Sequence, residues 1–145
     1  MPSPAAADAP AVVLDTNVVL DWLLFGDACV APVADAVAGG SLRWLACARM
    51  REELLRTLTY PALSKWKPDS ERMLTEFDRH SNFCPDPAPA ALDLRCSDPD
   101  DQVFLDLALA TGARWLLTHD RALLKLARRA ARSGLVILPP ARWAP

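Results

Sequence analysis

The 145-residue chain predicts an α/β fold: a central, mainly parallel sheet with helices on both faces, a three-layer α/β/α arrangement. Short apolar runs alternate with helical stretches from Val12 to Leu138. The runs are too apolar for strands with one wet face, which alternate apolar and polar residues. Two of them are followed closely by an Asp, at strand ends where open α/β sheets bind ligands.

Val12 to Thr16 reads as the first strand. Asn17 to Phe25 follows as a helix whose broad apolar face carries Val18, Leu20, Trp22, Leu23 and Leu24. Pro32 to Ala38 is a second short helix stopped by Gly39-Gly40. Arg43 to Ala46 is the second strand, and Ala48 to Leu58 a helix with Met50, Leu54, Leu55 and Leu58 along one side. Pro61 ends that helix, and Lys65-Trp66-Lys67-Pro68 is a loop. Asp69 or Ser70 caps a helix running to about His80. Asn82 to Pro89 holds a short strand and then a proline-rich covering segment. Asp98 to Ala110 is a helix with acids at its start, where the helix dipole favours them, and Gly112 at its end. Trp115 to Thr118 is a strand, Arg121 to Arg132 a helix, and Leu135 to Leu138 the last strand. Trp22, Trp44 and Trp115 read as core.

An apolar fraction of 52% supplies a core for one domain over residues 11–141, after a disordered tail over 1–10. No apolar run approaches the roughly 20 residues of a membrane span. The first residues lack the features of a signal peptide, so a cytoplasmic location is expected. Cys29, Cys47, Cys84 and Cys96 have no Cys-x-x-Cys spacing, and only His80 and His119 could supplement them. A zinc site is not expected, and reduced thiols are. The net charge of −2 is unevenly spread. Residues 1–40 hold Asp8, Asp15, Asp21, Asp27 and Asp35 with no Lys or Arg. After Asp120 come Arg121, Lys125, Arg128, Arg129, Arg132 and Arg142 with no acid. A basic end beside an acidic site suits a polyanion held near a metal; balanced solvated faces suit the same charges equally well.

Four acids carry the chemistry. Asp15 ends the first strand and could be a metal ligand, a helix cap or both. Glu53 borders the apolar side of its helix, while the adjacent Glu52 points outward. Asp101, in the first turn of its helix, is aimed at the sheet by its spacing to Phe104 and Leu105, with Asp98 a secondary contributor and Asp106 facing solvent. Asp120 in Thr118-His119-Asp120-Arg121 mirrors Asp15. Carboxylates converging at strand ends repel one another unless protons or a cation compensate. A hard divalent ion such as Mg²⁺ or Mn²⁺ is the simplest compensator. His119 reads as a surface residue, and Trp66 between two lysines as either a half-buried lid or a stacking platform for a base.

Together these motifs resemble the PIN-domain family. Val13-Leu14-Asp15-Thr16-Asn17 looks like its opening motif, and Glu53-Leu54 with Leu58 like its glutamate helix. Asp98-Pro99-Asp100-Asp101 with Phe104-Leu105 is similar to its third acidic motif, and Leu117-Thr118-His119-Asp120 to its fourth. The resemblance is closest to small stand-alone bacterial toxins of toxin–antitoxin pairs. It implies a Mg²⁺- or Mn²⁺-dependent ribonuclease acting on single-stranded RNA. The implied catalytic set is Asp15, Glu53, Asp101 and Asp120, with Asp15, Asp101 and Asp120 on the metal and Asn17, Thr118 and Asp98 supporting them. Arg121, Lys125 and Arg128 would hold the RNA backbone. An antitoxin blocking the acidic groove is implied too, with a homodimer contact possible. His119 stands where the family pattern has a small residue.

Two other functions compete. A haloacid-dehalogenase-type phosphatase would need a second Asp where Asn17 stands. A catalytically silent PIN-like module that binds RNA or a partner would not need four intact acids.

Overall fold

The computed structural model describes residues 8–90 and 94–145. The expected tail lies outside these residues as far as residue 7. The Ala9 carbonyl accepts from Arg43 Nε at 2.8 Å, so the chain is fastened just before the first strand.

Five strands form one sheet: β1 (Ala11–Leu14), β2 (Arg43–Ala46), β3 (Ser81–Phe83), β4 (Trp115–Leu117) and β5 (Val136–Leu138). Their order is β3-β2-β1-β4-β5, and every neighbouring pair is parallel. The chain builds outward from β1 to β3, then returns to place β4 on the other side of β1. The order therefore reverses between β1 and β4, and a crevice opens at their carboxyl ends. Both strands are wholly buried, which explains their unbroken apolar sequences.

The helices are α1 (Thr16–Leu20), α2 (Ala31–Ala38), α3 (Ala48–Thr57), α4 (Ser70–His80), α5 (Gln102–Thr111), α6 (Arg121–Leu124) and α7 (Ala127–Ala131). They flank the sheet in the expected three-layer arrangement. α5 packs on β1 and β4, α1 against α3, and α7 against β5. Trp44 anchors the core between Trp22 and Phe77, at ring distances of 5.4 and 4.8 Å. Trp143 is also core, 5.5 Å from Trp115, a role its place near the end of the chain did not suggest. Among the described residues no single helix is long and apolar enough to cross a membrane. All four cysteines are free.

Three elements depart from expectation. The helix expected from Asn17 to Phe25 becomes a π-helical turn at Asp21–Phe25, closed by Gly26 with φ 61°. The wider turn rests Trp22 on Trp44 and leaves Phe25 on the crevice wall. The loop expected at 65–68 begins as a 3₁₀ helix, Pro61–Trp66, ended by Lys67 in the left-handed region. The helix expected over 121–132 breaks between α6 and α7. There Leu126 N–H donates to Leu123 at 3.0 Å, a tighter turn that buries both leucines.

Candidate active site

The crevice at the sheet's reversal point is a cavity of about 380 Å³. Asp15, Asn17, Glu53, Asp98, Asp101 and Asp120 all line it. Asp15 comes from the end of β1, Asp120 from the turn after β4, Glu53 from α3, and Asp98 and Asp101 from the 3₁₀ turn that opens α5. Glu52 lines a different and larger groove, about 620 Å³, with Arg51, Leu55, Asp78 and Phe83. The helix thus turns the two glutamates to separate surfaces, and Glu53 is the one that faces the acids.

Asp15 is 3% exposed. Its Oδ1 accepts from Val18 N–H at 2.9 Å, capping α1. A cap contributes about 0.5–2 kcal/mol. Burying a carboxylate costs several kcal/mol unless it is compensated, so capping alone does not explain the position. The second oxygen accepts from the Thr118 hydroxyl. That hydroxyl itself accepts from Asp120 N–H at 2.9 Å, which directs its own proton to Asp15. Thr118, fully buried, thus links the two strand ends. Burial still pushes the Asp15 carboxyl above the usual range, against these hydrogen bonds.

One oxygen from each of Asp98, Asp101 and Asp120 lies within 4.8 Å of the others. Asp98 Oδ1 accepts from Asp100 N–H at 3.0 Å, and Asp120 Oδ1 from Ala122 N–H at 2.7 Å, the cap of α6. Asp101 has no such support. Its Oδ2 is buried without a partner. Burial first, then a hydrogen bond with Asp120 and the charges of Asp120, Asp98 and Asp15, push its pKa up to about 8. The hydrogen-bonded Asp101–Asp120 pair therefore favours a shared proton where a cation would neutralise the cluster. Of the expected ligands, Asp101 and Asp120 fall in this group with Asp98, while Asp15 lines the same cavity and bonds to Thr118.

This all-oxygen donor set, with its orphaned buried oxygen, fits a hard divalent cation. Glu53 lines the same cavity and pairs with Arg56. Arg121, Lys125 and Arg128 are exposed and do not line the cavity. Phe25, Tyr60 and Leu63 form an apolar wall that the sequence did not flag, because they come from irregular segments without a helical or strand period. Asp106 is a correction: it does not face solvent but is 5% exposed. It accepts from Gln102 Nε2 at 2.8 Å and Ala90 N–H at 2.9 Å. His119, exposed as expected, pairs with Asp21 at 2.7 Å.

No curated protein sequence matches the chain. Among solved structures it is similar to a VapBC2 structure from Rickettsia felis, described as bound to a DNA fragment from their promoter. The TM-score is 0.55 at 12% identity, covering 88% of this chain and 96% of that one. At that identity the likeness concerns the fold. The PIN-domain family model matches residues 11–122, from the start of β1 through Asp120. With four acidic motifs gathered at the reversal point of a parallel sheet, the chain belongs to the PIN-domain family.

Proposed function

We propose that the protein is a metal-dependent endoribonuclease that hydrolyses single-stranded RNA, and that it is the toxin of a toxin–antitoxin pair. The observation that carries this reading is Asp101: a buried, unpartnered carboxyl oxygen among Asp98, Asp120 and Asp15. Mg²⁺ or Mn²⁺ bound there supplies Lewis-acid stabilisation to the phosphate undergoing attack. Asp101 and Asp120 would hold the ion with Asp98 beside them, and Asp15, lining the same cavity, would add its negative charge. Glu53, which lines the cavity, accepts the proton of the attacking water. The water oxygen bonds to phosphorus, the P–O3′ bond breaks, and the 3′ oxygen takes up a proton. The products are a 5′-phosphate and a 3′-hydroxyl. Asn17 and Thr118 fix the groups beside the reaction, and Arg121, Lys125 and Arg128 hold the RNA backbone outside the cavity.

In this reading an antitoxin is the regulating partner, as the fold shared with the VapBC2 complex supports, and the toxin is a homodimer in the cytoplasm. The test is cleavage of a mixed single-stranded RNA pool with Mn²⁺ and with chelator. Wild type should cut only with Mn²⁺, and Asp101→Asn or Asp15→Asn should lower the rate by about a hundredfold or more while remaining folded. Equal cutting by wild type and Asp101→Asn would sink the assignment. Metal binding without cleavage of any strand would favour a silent binding module.

A further inference from the structure

Two of the five large apolar side chains that stand exposed among the described residues lie beside the acid cavity. Tyr60 is 45% exposed and Trp66 47%. Both belong to the 3₁₀ segment between α3 and α4, Tyr60 as its cap and Trp66 as its last residue. Side chains three apart eclipse in a 3₁₀ helix, which puts Trp66 on the same face as Leu63. Tyr60 and Leu63 line the cavity. Trp66 rests on Phe25, which lines it too, at a ring distance of 4.7 Å. An aromatic strip thus continues the cavity's apolar wall onto the surface.

Packing does not account for the strip. A ring held for stability is buried, as Trp44, Trp115 and Trp143 are. The charges beside it are also opposite to those of the cavity. Lys65 Nζ lies 5.9 Å from the Trp66 ring centroid, and Lys67 follows in the left-handed conformation at φ 46°. Both lysines are exposed, and neither pairs with an acid among the described residues. The exposed Leu55 and Phe83 of the other groove stand instead beside the Arg51–Asp78 ion pair. Open rings flanked by unneutralised ammonium groups match a nucleotide, with a π face for the base and a cation for the phosphate.

We propose that Tyr60 and Trp66 form a stacking site for unpaired bases of the RNA strand, with Lys65 and Lys67 holding its phosphates. The proposal rests on the nuclease reading and sharpens it. A base can lie on either ring only when it is free of a partner strand, so the strip selects single-stranded substrate and brings an adjoining phosphate to the acids. Every base offers a π face, so the strip reads strandedness and not sequence.

The test titrates single-stranded oligoadenylate into full-length Asp101→Asn protein with chelator, so that the strand stays intact, and reads tryptophan fluorescence. Of the five tryptophans only Trp66 is exposed, so quenching reports on it. The single strand should quench, and the same strand paired with oligouridylate should not. Adding Trp66→Ala or Tyr60→Ala should weaken binding about tenfold, followed by anisotropy of a labelled strand. Trp66→Phe should lose the quenching but bind within a few-fold. Replacing Lys65 and Lys67 by Ala should flatten the dependence of log Kd on log salt by about 0.7 per lysine. In the otherwise wild-type protein with Mn²⁺, Trp66→Ala should raise KM about tenfold with kcat within a few-fold. Equal affinity for single strand and duplex would overturn the proposal. So would RNA binding that Trp66→Ala leaves unchanged, which would make the strip a protein contact. Quenching by the single strand without Mn²⁺-dependent cleavage would uphold the strip and sink the nuclease reading, and cleavage indifferent to Trp66→Ala would do the reverse.

Discussion

Asp101, in the turn that opens α5, and Asp106, five residues on and inside that helix, show what separates a structural acid from a reactive one. Asp106 is the more buried, yet it is satisfied: it accepts from Gln102 and from the Ala90 amide, and so fastens the segment after β3 to α5. Asp101 is only half-buried, yet one oxygen has no partner and its neighbours are acids. Burial alone therefore marks nothing. The uncompensated charge is what calls for a cation.

The comparison breaks most easily by mutation. Asp101→Asn should remove metal-dependent cleavage, a loss of about a hundredfold or more, with an unfolding temperature no lower than wild type. Asp106→Ala should do the reverse. Gln102 Nε2 keeps its bond to the Leu94 carbonyl, but losing its bond to Asp106 and leaving Ala90 N–H unpaired should cost about 1–3 kcal/mol in denaturant unfolding, with cleavage changed only a few-fold. If Asp106→Ala abolished cleavage without lowering stability, the distinction would be lost.

Acidity gives a second contrast. The Asp101 pKa is raised from 3.8 to about 8 in the fold, so between those values the folded protein binds a proton that the unfolded chain does not. That contribution is full below pH 3.8 and is lost as pH rises through about 8. Metal-free wild type should therefore lose stability relative to Asp101→Asn over this range in parallel melts. A constant difference would contradict the assignment.

Smaller effects sharpen the picture at the rim. Glu53→Gln should lower cleavage by about tenfold or more, as expected for a proton-accepting carboxylate. Glu52→Gln, facing the other groove, should leave the rate unchanged. Thr118→Val keeps the shape but removes the hydroxyl that holds Asp15. It should weaken Mn²⁺ binding by about tenfold, measured by thermal shift against metal concentration.

The sequence made the strand-end acids legible because each follows a run too apolar to be anything but buried strand. Asp15, Glu53, Asp101 and Asp120 do line one cavity. Asp106 was misread because its partner Ala90 lies sixteen residues upstream in an irregular segment, and helical periodicity on α5 carries no information about it. The π turn and the α6–α7 break were hidden for a similar reason: each is a local change of hydrogen-bond register imposed by packing. The Asp21–His119 pairing depends on how β1 and β4 sit side by side, which no local motif encodes.

The most direct test of the central claim is calorimetric titration of Mn²⁺ into the RNA-free protein at pH 7, in two buffers of different ionisation enthalpy. An ion that replaces the proton on Asp101 should release close to one proton per site in wild type and none in Asp101→Asn. Absence of Mn²⁺ binding, or the same proton release from both proteins, would contradict the account.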